Sequence, residues 1–284
     1  MHDGPGVRTT VFFKGCSLRC QWCHNPESIR PETELEWKPY LCMGCMECIG
    51  ACGSHARYMQ ENVKFDREKC IGCGKCAEVC VSGAAVLVGK HMTVDEVVRE
   101  AEKDWEMYRI TGGGVTCSGG EPLLQADAVA EILCRLKQKG IHTAVDTAGN
   151  VSWAAFAKVI PAADLFLFDI KHMDAKMHRE YTGVSNVQIL ENFCRIPEDK
   201  EIFVRVPVVK GVNDNCLKEI ADFLKNRKNV RLVELLSYHA LGASKYEGLG
   251  KKEKKFAPPD MEILEEAVGY FKKCGICTKA SGVD

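Results

Sequence analysis

The chain has 284 residues, of which 46% are hydrophobic and 27% are charged, and its 38 basic and 39 acidic side chains leave a net charge of −1. This length suffices for one large catalytic domain with a small insert, and the balanced charge argues against nucleic acid as the main partner. The first residues lack the apolar stretch of a signal peptide, and no apolar run approaches the length of a membrane span. We therefore predict a cytoplasmic protein that does not contact a membrane.

Seventeen cysteines are unusually many for a cytoplasmic chain, where thiols stay reduced and disulfides are rare. Eleven of them fall into three regular groups between residues 16 and 80, which indicates metal ligation rather than disulfide bonding. The first group, CSLRCQWC, follows a predicted strand at 8–14 and supplies Cys16, Cys20 and Cys23. It stops one ligand short of the four that a closed iron–sulfur or structural zinc site takes. The missing fourth ligand needs an explanation.

The second and third groups both follow the pattern C-x2-C-x2-C-x3-C, and the third repeats the second 28 residues later. This is the spacing of bacterial ferredoxins, in which three cysteines of a run bind one cubane and the fourth binds the other. A pair of zinc sites is the alternative, but this spacing suits a cube of iron and sulfur better than a zinc ribbon. We therefore predict two 4Fe–4S clusters, one held by Cys42, Cys45, Cys48 and Cys80 and the other by Cys70, Cys73, Cys76 and Cys52.

The composition divides the chain into three parts. Residues 1–30 carry the first strand and the three-cysteine loop. Residues 31–89 are rich in cysteine, glycine and charge, with only short strand-like pieces at 56–59 and 84–88. We predict that residues 31–89 form a ferredoxin-like insert and that residues 90–284 complete the domain that residues 1–30 begin.

Residues 90–284 alternate between strand and helix patterns. Thr93 and Glu96 form a capping box at the start of a predicted helix that ends near Met107. Further strands are predicted at 114–118, 141–146, 165–171, 202–208 and 230–236, and further helices at 125–139, 153–160, 187–194, 216–225 and 261–274. With the strand at 8–14 there are six strands, which predicts an α/β fold, a partial (β/α)6 barrel of the TIM type. Chemistry in such barrels gathers at the carboxyl ends of the strands, which is where Cys16 follows the first strand.

Five stretches carry a family resemblance: CSLRCQWC at 16–23, SGGEP at 118–122, HDGPGVRTT at 2–10, CHNPES at 23–28 and GGGVTCSGGEPL at 112–123. They resemble the radical S-adenosylmethionine (SAM) superfamily and, within it, the activating enzymes of glycyl radical enzymes. The resemblance covers nearly the whole chain. The ferredoxin-like insert makes the chain similar to the activators of choline lyase, glycerol dehydratase and hydroxyphenylacetate decarboxylase, whereas pyruvate formate-lyase activating enzyme is similar but lacks the insert.

The resemblance implies a reason for the missing ligand. Cys16, Cys20 and Cys23 would hold a third 4Fe–4S cluster, whose open iron binds the amino and carboxylate groups of SAM. Reductive cleavage of SAM would yield methionine and a 5′-deoxyadenosyl radical, which takes a hydrogen atom from a glycine of a partner glycyl radical enzyme. We expect a ferredoxin or flavodoxin to supply the electron through the insert, and we expect the protein to be a monomer.

The resemblance also implies which residues contact SAM: Trp22, Cys23, His24, Gly119, Gly120, Glu121, Asp146, Thr147, Asp169, Ile170, Lys171, Arg205 and His239. The glycine turn would receive the SAM amino group through backbone carbonyls, and the charged strand ends would approach the ribose, the methionine carboxylate or a monovalent cation. Each feature also has a plainer interpretation, as a glycine-rich turn, a core aromatic ring, a buried aspartate–lysine pair or a structural histidine. The polar loop at 2–6, before which family members carry further residues, is expected to shape the opening for the partner's glycine.

Two other functions are compatible with the sequence. One is a radical SAM enzyme that uses auxiliary clusters on a small molecule or peptide, and the other is a ferredoxin-type electron carrier with the barrel as its scaffold. The three-cysteine group argues against a carrier, because electron transfer needs no open iron. The sequence does not identify the partner enzyme. Outside the three groups, four cysteines are predicted to be small buried hydrophobes: Cys117, Cys134, Cys194 and Cys216.

Overall fold

The computed structural model describes residues 3–282 of the chain. The strands within these residues are β1 (Arg8–Phe13), β2 (Glu34–Trp37), β3 (Arg57–Met59), β4 (Val63–Phe65), β5 (Ala85–Val88), β6 (Gly114–Gly119), β7 (His142–Thr147), β8 (Leu165–Asp169), β9 (Glu201–Val208), β10 (Val230–Ser237) and β11 (Thr278–Ala280). The helices are α1 (Glu47–Gly50), α2 (Lys75–Glu78), α3 (Val94–Glu102), α4 (Trp105–Thr111), α5 (Ala126–Gln138), α6 (Trp153–Val159), α7 (Ala175–Thr182), α8 (Val187–Arg195), α9 (Leu217–Leu224), α10 (Ala243–Gly248) and α11 (Met261–Lys273).

A parallel sheet forms the main domain, with strands in the order β1-β6-β7-β8-β9-β10-β11. Strands that follow one another outside residues 31–89 are neighbours, as a βα alternation requires. The six strands that the sequence predicts are all present, which confirms the α/β class. The seventh strand, β11, was not predicted because its three residues are too few for a periodic signal.

Both faces of the sheet are buried, as β8 shows. Its residues Leu165 and Leu167 pack with Ala144 and Phe203 on the inner side of the curved sheet. Phe166 and Phe168, whose side chains point to the opposite face of the strand, belong to the large core between the sheet and the helices. A strand covered on both faces reads as a continuous apolar run, which is why LFLF carries no alternation of polar residues.

The predicted helix at 93–107 is two helices, α3 and α4. The capping box of Thr93 and Glu96 is present at the start of α3. The chain then turns at Asp104, whose carboxylate accepts a hydrogen bond from the Thr9 hydroxyl at 2.6 Å, and Tyr108 donates to the Ala101 carbonyl at 2.8 Å. The first bond ties the turn to β1, and the second ties α4 back to the end of α3. They explain a break between the two helices that the helical periodicity of the sequence does not show.

Four further helices, α1, α2, α7 and α10, were not predicted. The buried residues of α7 are His178 and Thr182, so an apolar stripe is absent from its sequence although one face is packed. The prediction of four buried cysteines was half wrong. Cys117 and Cys216 are buried, but Cys134 and Cys194 are exposed on the outer faces of α5 and α8.

Residues 31–89 pack around a small core of their own. β2 pairs antiparallel with β5, and β3 pairs antiparallel with β4. Apolar side chains of these strands pack together with five of the eight cysteines of the second and third groups. Arg67 ties the segment to the main domain, since its guanidinium donates to the carbonyls of Leu35 at 3.0 Å and Gly248 at 2.5 Å. Within residues 3–282, no helix has the length and apolar character to span a membrane.

Candidate functional site

A cavity of about 270 Å³ opens at the carboxyl ends of the parallel strands. It is the point at which the loop after β1, the turn after β6 and the charged ends of β7, β8 and β9 converge. Eleven of the predicted site residues line it: Cys16, Cys20, Trp22, Cys23, His24, Gly119, Gly120, Asp146, Asp169, Lys171 and Arg205. Residues from five separate strands and loops therefore face one volume.

The three-cysteine loop is held by backbone hydrogen bonds at both ends. The Gly15 and Cys16 amides donate to the carbonyls of Ser28 and Ile29, at 2.8 and 3.0 Å. Further along, the Arg19 amide donates to the Thr182 carbonyl at 2.7 Å, at the end of α7. The loop is thus closed on itself and anchored to the sheet and to α7, which fixes where its thiols point.

The glycine turn after β6 packs against this loop without space for side chains. The Gly120 amide donates to the Phe13 carbonyl at 2.9 Å, and the Glu121 amide donates to the Gly15 carbonyl at 2.7 Å. A Cβ on Gly119, whose φ is +113°, would lie 2.3 Å from the Phe13 carbonyl oxygen, and one on Gly120 would lie 2.2 Å from the Gly15 carbonyl oxygen. Only glycine fits at both positions.

The three cysteines are half-buried, and the loss of water around their sulfurs disfavours the charged thiolate form. Burial raises the pKa of Cys16, that of Cys20 to about 12 and that of Cys23 to about 11. Thiolates are the form that binds iron, so a metal must supply the charge that makes deprotonation favourable here. The donor set, three thiols facing one cavity, therefore fits an iron–sulfur cluster.

In residues 3–282, no three Cys, His, Asp or Glu side chains converge closely enough to chelate a single metal ion. A cubane makes a different demand, because each thiolate binds its own iron at its own corner. The absence of a compact chelating group is thus compatible with cluster ligands that stand apart around a cavity.

Four charged residues of the cavity wall form one network: Asp146, Asp169, Lys171 and Arg205. Arg205 donates through Nε to Asp169 at 3.1 Å and also binds Asp146. Lys171 donates to the second oxygen of Asp169 at 2.6 Å. Ser118 donates to Asp146 at 2.5 Å. The network brings together side chains from β6, β7, β8 and β9.

The two aspartates of the network have pKa values shifted in opposite directions. Burial would raise the pKa of Asp169, but the charges of Arg205 and Lys171 outweigh burial and hold it below its usual value. For Asp146, burial prevails over Arg205 and raises the pKa. Asp169 raises the pKa of Lys171, and both aspartates raise the pKa of Arg205, in each case against the effect of burial. Both cations therefore stay charged at the cavity wall, where an anionic group of a ligand would meet them.

Aromatic rings close the cysteine side of the cavity. Trp22 lines it and packs against Tyr181 and Phe256, with ring centroids 6.2 and 6.1 Å apart. His24 also lines it and stacks on His239, with centroids 4.1 Å apart, while its Nε2 lies 2.8 Å from the His239 carbonyl oxygen. His239 itself is exposed and does not line the cavity.

Three more of the predicted residues lie behind the cavity wall. Glu121 is fully buried, and its carboxylate accepts hydrogen bonds from the Thr147 hydroxyl at 2.8 and 2.9 Å and from the Ala148 amide at 3.0 Å. Burial raises the pKa of Glu121 to about 7 in spite of these donors. Ile170 is buried in the main core, and its amide donates to the Arg205 carbonyl at 3.0 Å. These side chains support the residues in front of them.

The structure also adds residues that the sequence argument passed over. Ser118 lies inside the SGGEP stretch and binds Asp146, so the motif itself carried a signal. Asp3 lines the cavity and accepts a hydrogen bond from the Thr10 hydroxyl at 3.3 Å. Asp3 belongs to the polar loop predicted at 2–6, while His2 of that loop lies outside the described residues. The loop thus reaches the cavity through Asp3.

The eight cysteines of residues 31–89 differ in exposure. Cys48 and Cys76 are buried, whereas Cys45 and Cys73 are exposed. The last cysteine of each run meets hydrogen-bond donors: the Cys80 sulfur accepts from the Ala85 amide at 3.3 Å, and Cys52 lies 3.6 Å from the Ser54 hydroxyl. Burial would raise the pKa of both, but these hydrogen bonds outweigh it and lower the pKa of each thiol. Donors to sulfur of this kind also support cluster ligands.

The sequence of the chain matches a known family and several characterised proteins. Residues 10–224 match the family model of the radical SAM superfamily. The chain is 40% identical over 265 residues to the isethionate sulfite-lyase activating enzyme of Nitratidesulfovibrio vulgaris, which covers 89% of this chain and 85% of that protein. It is 40% identical over 291 residues to the trans-4-hydroxy-L-proline dehydratase activating enzyme of Clostridioides difficile, which covers 99% of this chain and 96% of that protein.

A solved structure is similar to part of this chain. The crystal structure of a domain of pyruvate-formate lyase-activating enzyme from Bacteroides vulgatus superposes with a TM-score of 0.52 at 32% identity. The match covers 60% of this chain and 99% of that one.

Proposed function

Because the chain belongs to the radical SAM superfamily and, within it, to the activating enzymes of glycyl radical enzymes, we propose that Cys16, Cys20 and Cys23 hold the 4Fe–4S cluster that binds SAM. When bound, this cluster supplies the electron that cleaves SAM to methionine and a 5′-deoxyadenosyl radical, which takes a hydrogen atom from a glycine of the partner enzyme. The observation that carries the proposal is that the three thiols, the glycine turn and the charged network line one cavity.

The protein residues around the cavity would bind and orient SAM. Gly119 and Gly120 leave backbone carbonyls free of side chains, which suits the SAM amino group. Lys171 and Arg205 are the cations that would attract its carboxylate, and Asp146 is the acceptor for ribose hydroxyls or for a monovalent cation. Trp22 would pack on the cofactor and keep water from it. Glu121, Thr147, Ile170 and His239 would act without lining the cavity, by holding these groups in place.

We assign residues 31–89 the role of an electron entry module. Two 4Fe–4S clusters would be held by the ferredoxin pairing, one by Cys42, Cys45, Cys48 and Cys80 and one by Cys70, Cys73, Cys76 and Cys52. The exposure of Cys45 and Cys73 supports this role, because an external ferredoxin or flavodoxin needs a cluster near the surface. The full cofactor complement is then three clusters and SAM, in a monomer that works in the reducing cytoplasm, where cluster thiols stay free.

The test uses purified protein with reconstituted iron and sulfide under anaerobic conditions. Dithionite-reduced protein should convert SAM to 5′-deoxyadenosine. With each of a panel of candidate glycyl radical enzymes, electron paramagnetic resonance should then reveal a glycyl doublet with one of them. An absence of 5′-deoxyadenosine contradicts the proposed site, and cleavage without a doublet for any candidate points to a small-molecule or peptide substrate.

A further inference from the structure

Residues 34–88 contain an internal structural repeat that the cysteine spacing only hints at. An offset of 28 residues relates the two cysteine runs, and the same offset relates Trp37 to Phe65 and Arg57 to Ala85. In the structure, Trp37 pairs with Ala85 between β2 and β5, and Phe65 pairs with Arg57 between β3 and β4. The two halves are therefore built alike, except that an arginine in one half stands where an alanine stands in the other.

Arg57 is buried without an anion. Only 2% of its surface is exposed, and none of its three guanidinium nitrogens has a hydrogen-bond partner. The guanidinium lies between the two related aromatic rings, 4.0 Å from the centroid of Trp37 and 4.3 Å from that of Phe65. Cation–π contacts of this kind stabilise a desolvated cation, but by much less than the cost of burying an isolated charge.

Cysteines of both predicted clusters share the small core that encloses Arg57. Its guanidinium lies over Trp37 and Phe65, and these rings pack in the same core as Cys48 and Cys76. In the ferredoxin pairing, these two cysteines belong to different clusters. Arg57 also follows Cys52 by five residues, so it is tied more closely to the cluster of Cys52 and Cys76.

We propose that Arg57 is the fixed counter-charge of the two clusters in residues 31–89 and makes them inequivalent, raising the reduction potential of the cluster held by Cys52, Cys70, Cys73 and Cys76 above that of its twin. This inference rests on the proposed function, because it requires both clusters to be present. Four thiolates around a cubane leave a net negative charge, and one-electron reduction adds one more. A buried cation therefore favours the reduced form of the nearer cluster, and Ala85 offers its twin no such charge.

The experiment is a redox titration followed by electron paramagnetic resonance in a Cys16→Ala background, which removes the SAM-binding cluster from the spectrum. Arg57→Met should lower the midpoint of one cluster by at least about 59 mV, a tenfold change in a one-electron equilibrium. Arg57→Lys should restore at least half of the shift, because it keeps the charge. Lys64→Met removes a cation from the exposed face of the neighbouring strand β4 and should leave both midpoints unchanged, since solvent screens that charge.

Iron content separates the possible failures. If the background protein binds no iron, the two-cluster proposal fails. If Arg57→Met binds as much iron as the background and both midpoints stay in place, the role of Arg57 is wrong. Arg57→Gln, which keeps the length and polarity of the side chain, replaces Arg57→Met if the latter does not bind iron, and an unchanged midpoint in that variant overturns the inference in the same way.

Discussion

Arg205 binds the carboxylate of Asp169 through two of its nitrogens, Nε at 3.1 Å and Nη2 at 3.0 Å. The two residues are direct partners in the parallel register of β8 and β9, so the backbone itself brings them together. Both nitrogens contact the same oxygen, Oδ1, and the other oxygen of Asp169 accepts from Lys171. These charge-assisted contacts hold the charged wall of the cavity in one position before any ligand arrives.

Replacing Arg205 by Met should destabilise the protein and weaken SAM binding. The change leaves Asp146 without its cation and Asp169 with Lys171 alone, and removing one partner of a buried ion network costs ~3–5 kcal/mol. We expect lower thermal stability and at least tenfold weaker binding of SAM to reconstituted protein. Lys210→Met is the control, because its pair with Asp260 is exposed and worth about 1 kcal/mol at most. Equal behaviour of the two variants would contradict the role of the network.

Replacing Gly120 by Ala should separate the glycine turn from the cysteine loop. The new Cβ would lie 2.2 Å from the Gly15 carbonyl oxygen and 2.6 Å from that of Ser28, and both are backbone atoms that cannot rotate away. Strain of this kind costs ~1–3 kcal/mol, so we expect SAM cleavage to fall at least tenfold. Gly269→Ala is the matched control, since its Cβ meets nothing within 4 Å. Full activity of Gly120→Ala would show that the close packing is unimportant.

Replacing Cys16 by Ala should abolish SAM cleavage while the protein keeps about eight irons, four in each ferredoxin-like cluster. The reason is that the three-thiol site has no spare protein ligand, whereas the other eight cysteines are untouched. Iron and sulfide analysis and 5′-deoxyadenosine formation measure the two effects. Cys134→Ala, at an exposed cysteine outside the three groups, should change neither. A loss of iron from residues 31–89 in Cys16→Ala would refute the ligand grouping.

Replacing Cys73 by Ala should separate the two electron sources. Turnover with a reduced ferredoxin or flavodoxin should fall at least tenfold, because the exposed cluster would be lost. SAM cleavage with dithionite should persist, since a small reductant can reach the SAM cluster directly. Cys194→Ala is exposed as well and serves as the control. Unchanged turnover of Cys73→Ala with the protein donor would exclude the proposed role of residues 31–89.

Glu121 should titrate near neutral pH. Burial raises its pKa to about 7 from an ordinary value of 4.5, so the carboxyl is protonated below about pH 7 and ionised above it. Infrared difference spectra should show the carbonyl band of a protonated carboxyl that fades as the pH rises through about 7 and is missing from Glu121→Gln. Between pH 4.5 and about 7 the folded chain holds a proton that the unfolded chain has lost, so this group lowers stability as the pH rises. A band that persists only below pH 5 would contradict the raised pKa.

Much of the fold and part of the site could be predicted because their signals are local. The spacing of the cysteines, the run GGGVTCSGGEPL and the βα alternation each lie within a short window, and hydrophobic periodicity reports directly on strands and helices of ordinary length. Elements with weak local signals were missed: β11 is three residues long, and α7 buries polar side chains.

The sequence by itself determined which candidate ligand residues are present and at what spacing, because the spacing of ligands along a loop is set by the chain. Only the tertiary structure decided which of them share a volume. It brought Asp146, Asp169 and Arg205 from three strands into one network, put Glu121 behind the cavity rather than on it, and enclosed Arg57 between Trp37 and Phe65. Burial and charge pairing depend on neighbours that are distant in sequence, and strand register in the folded sheet is what selects those neighbours.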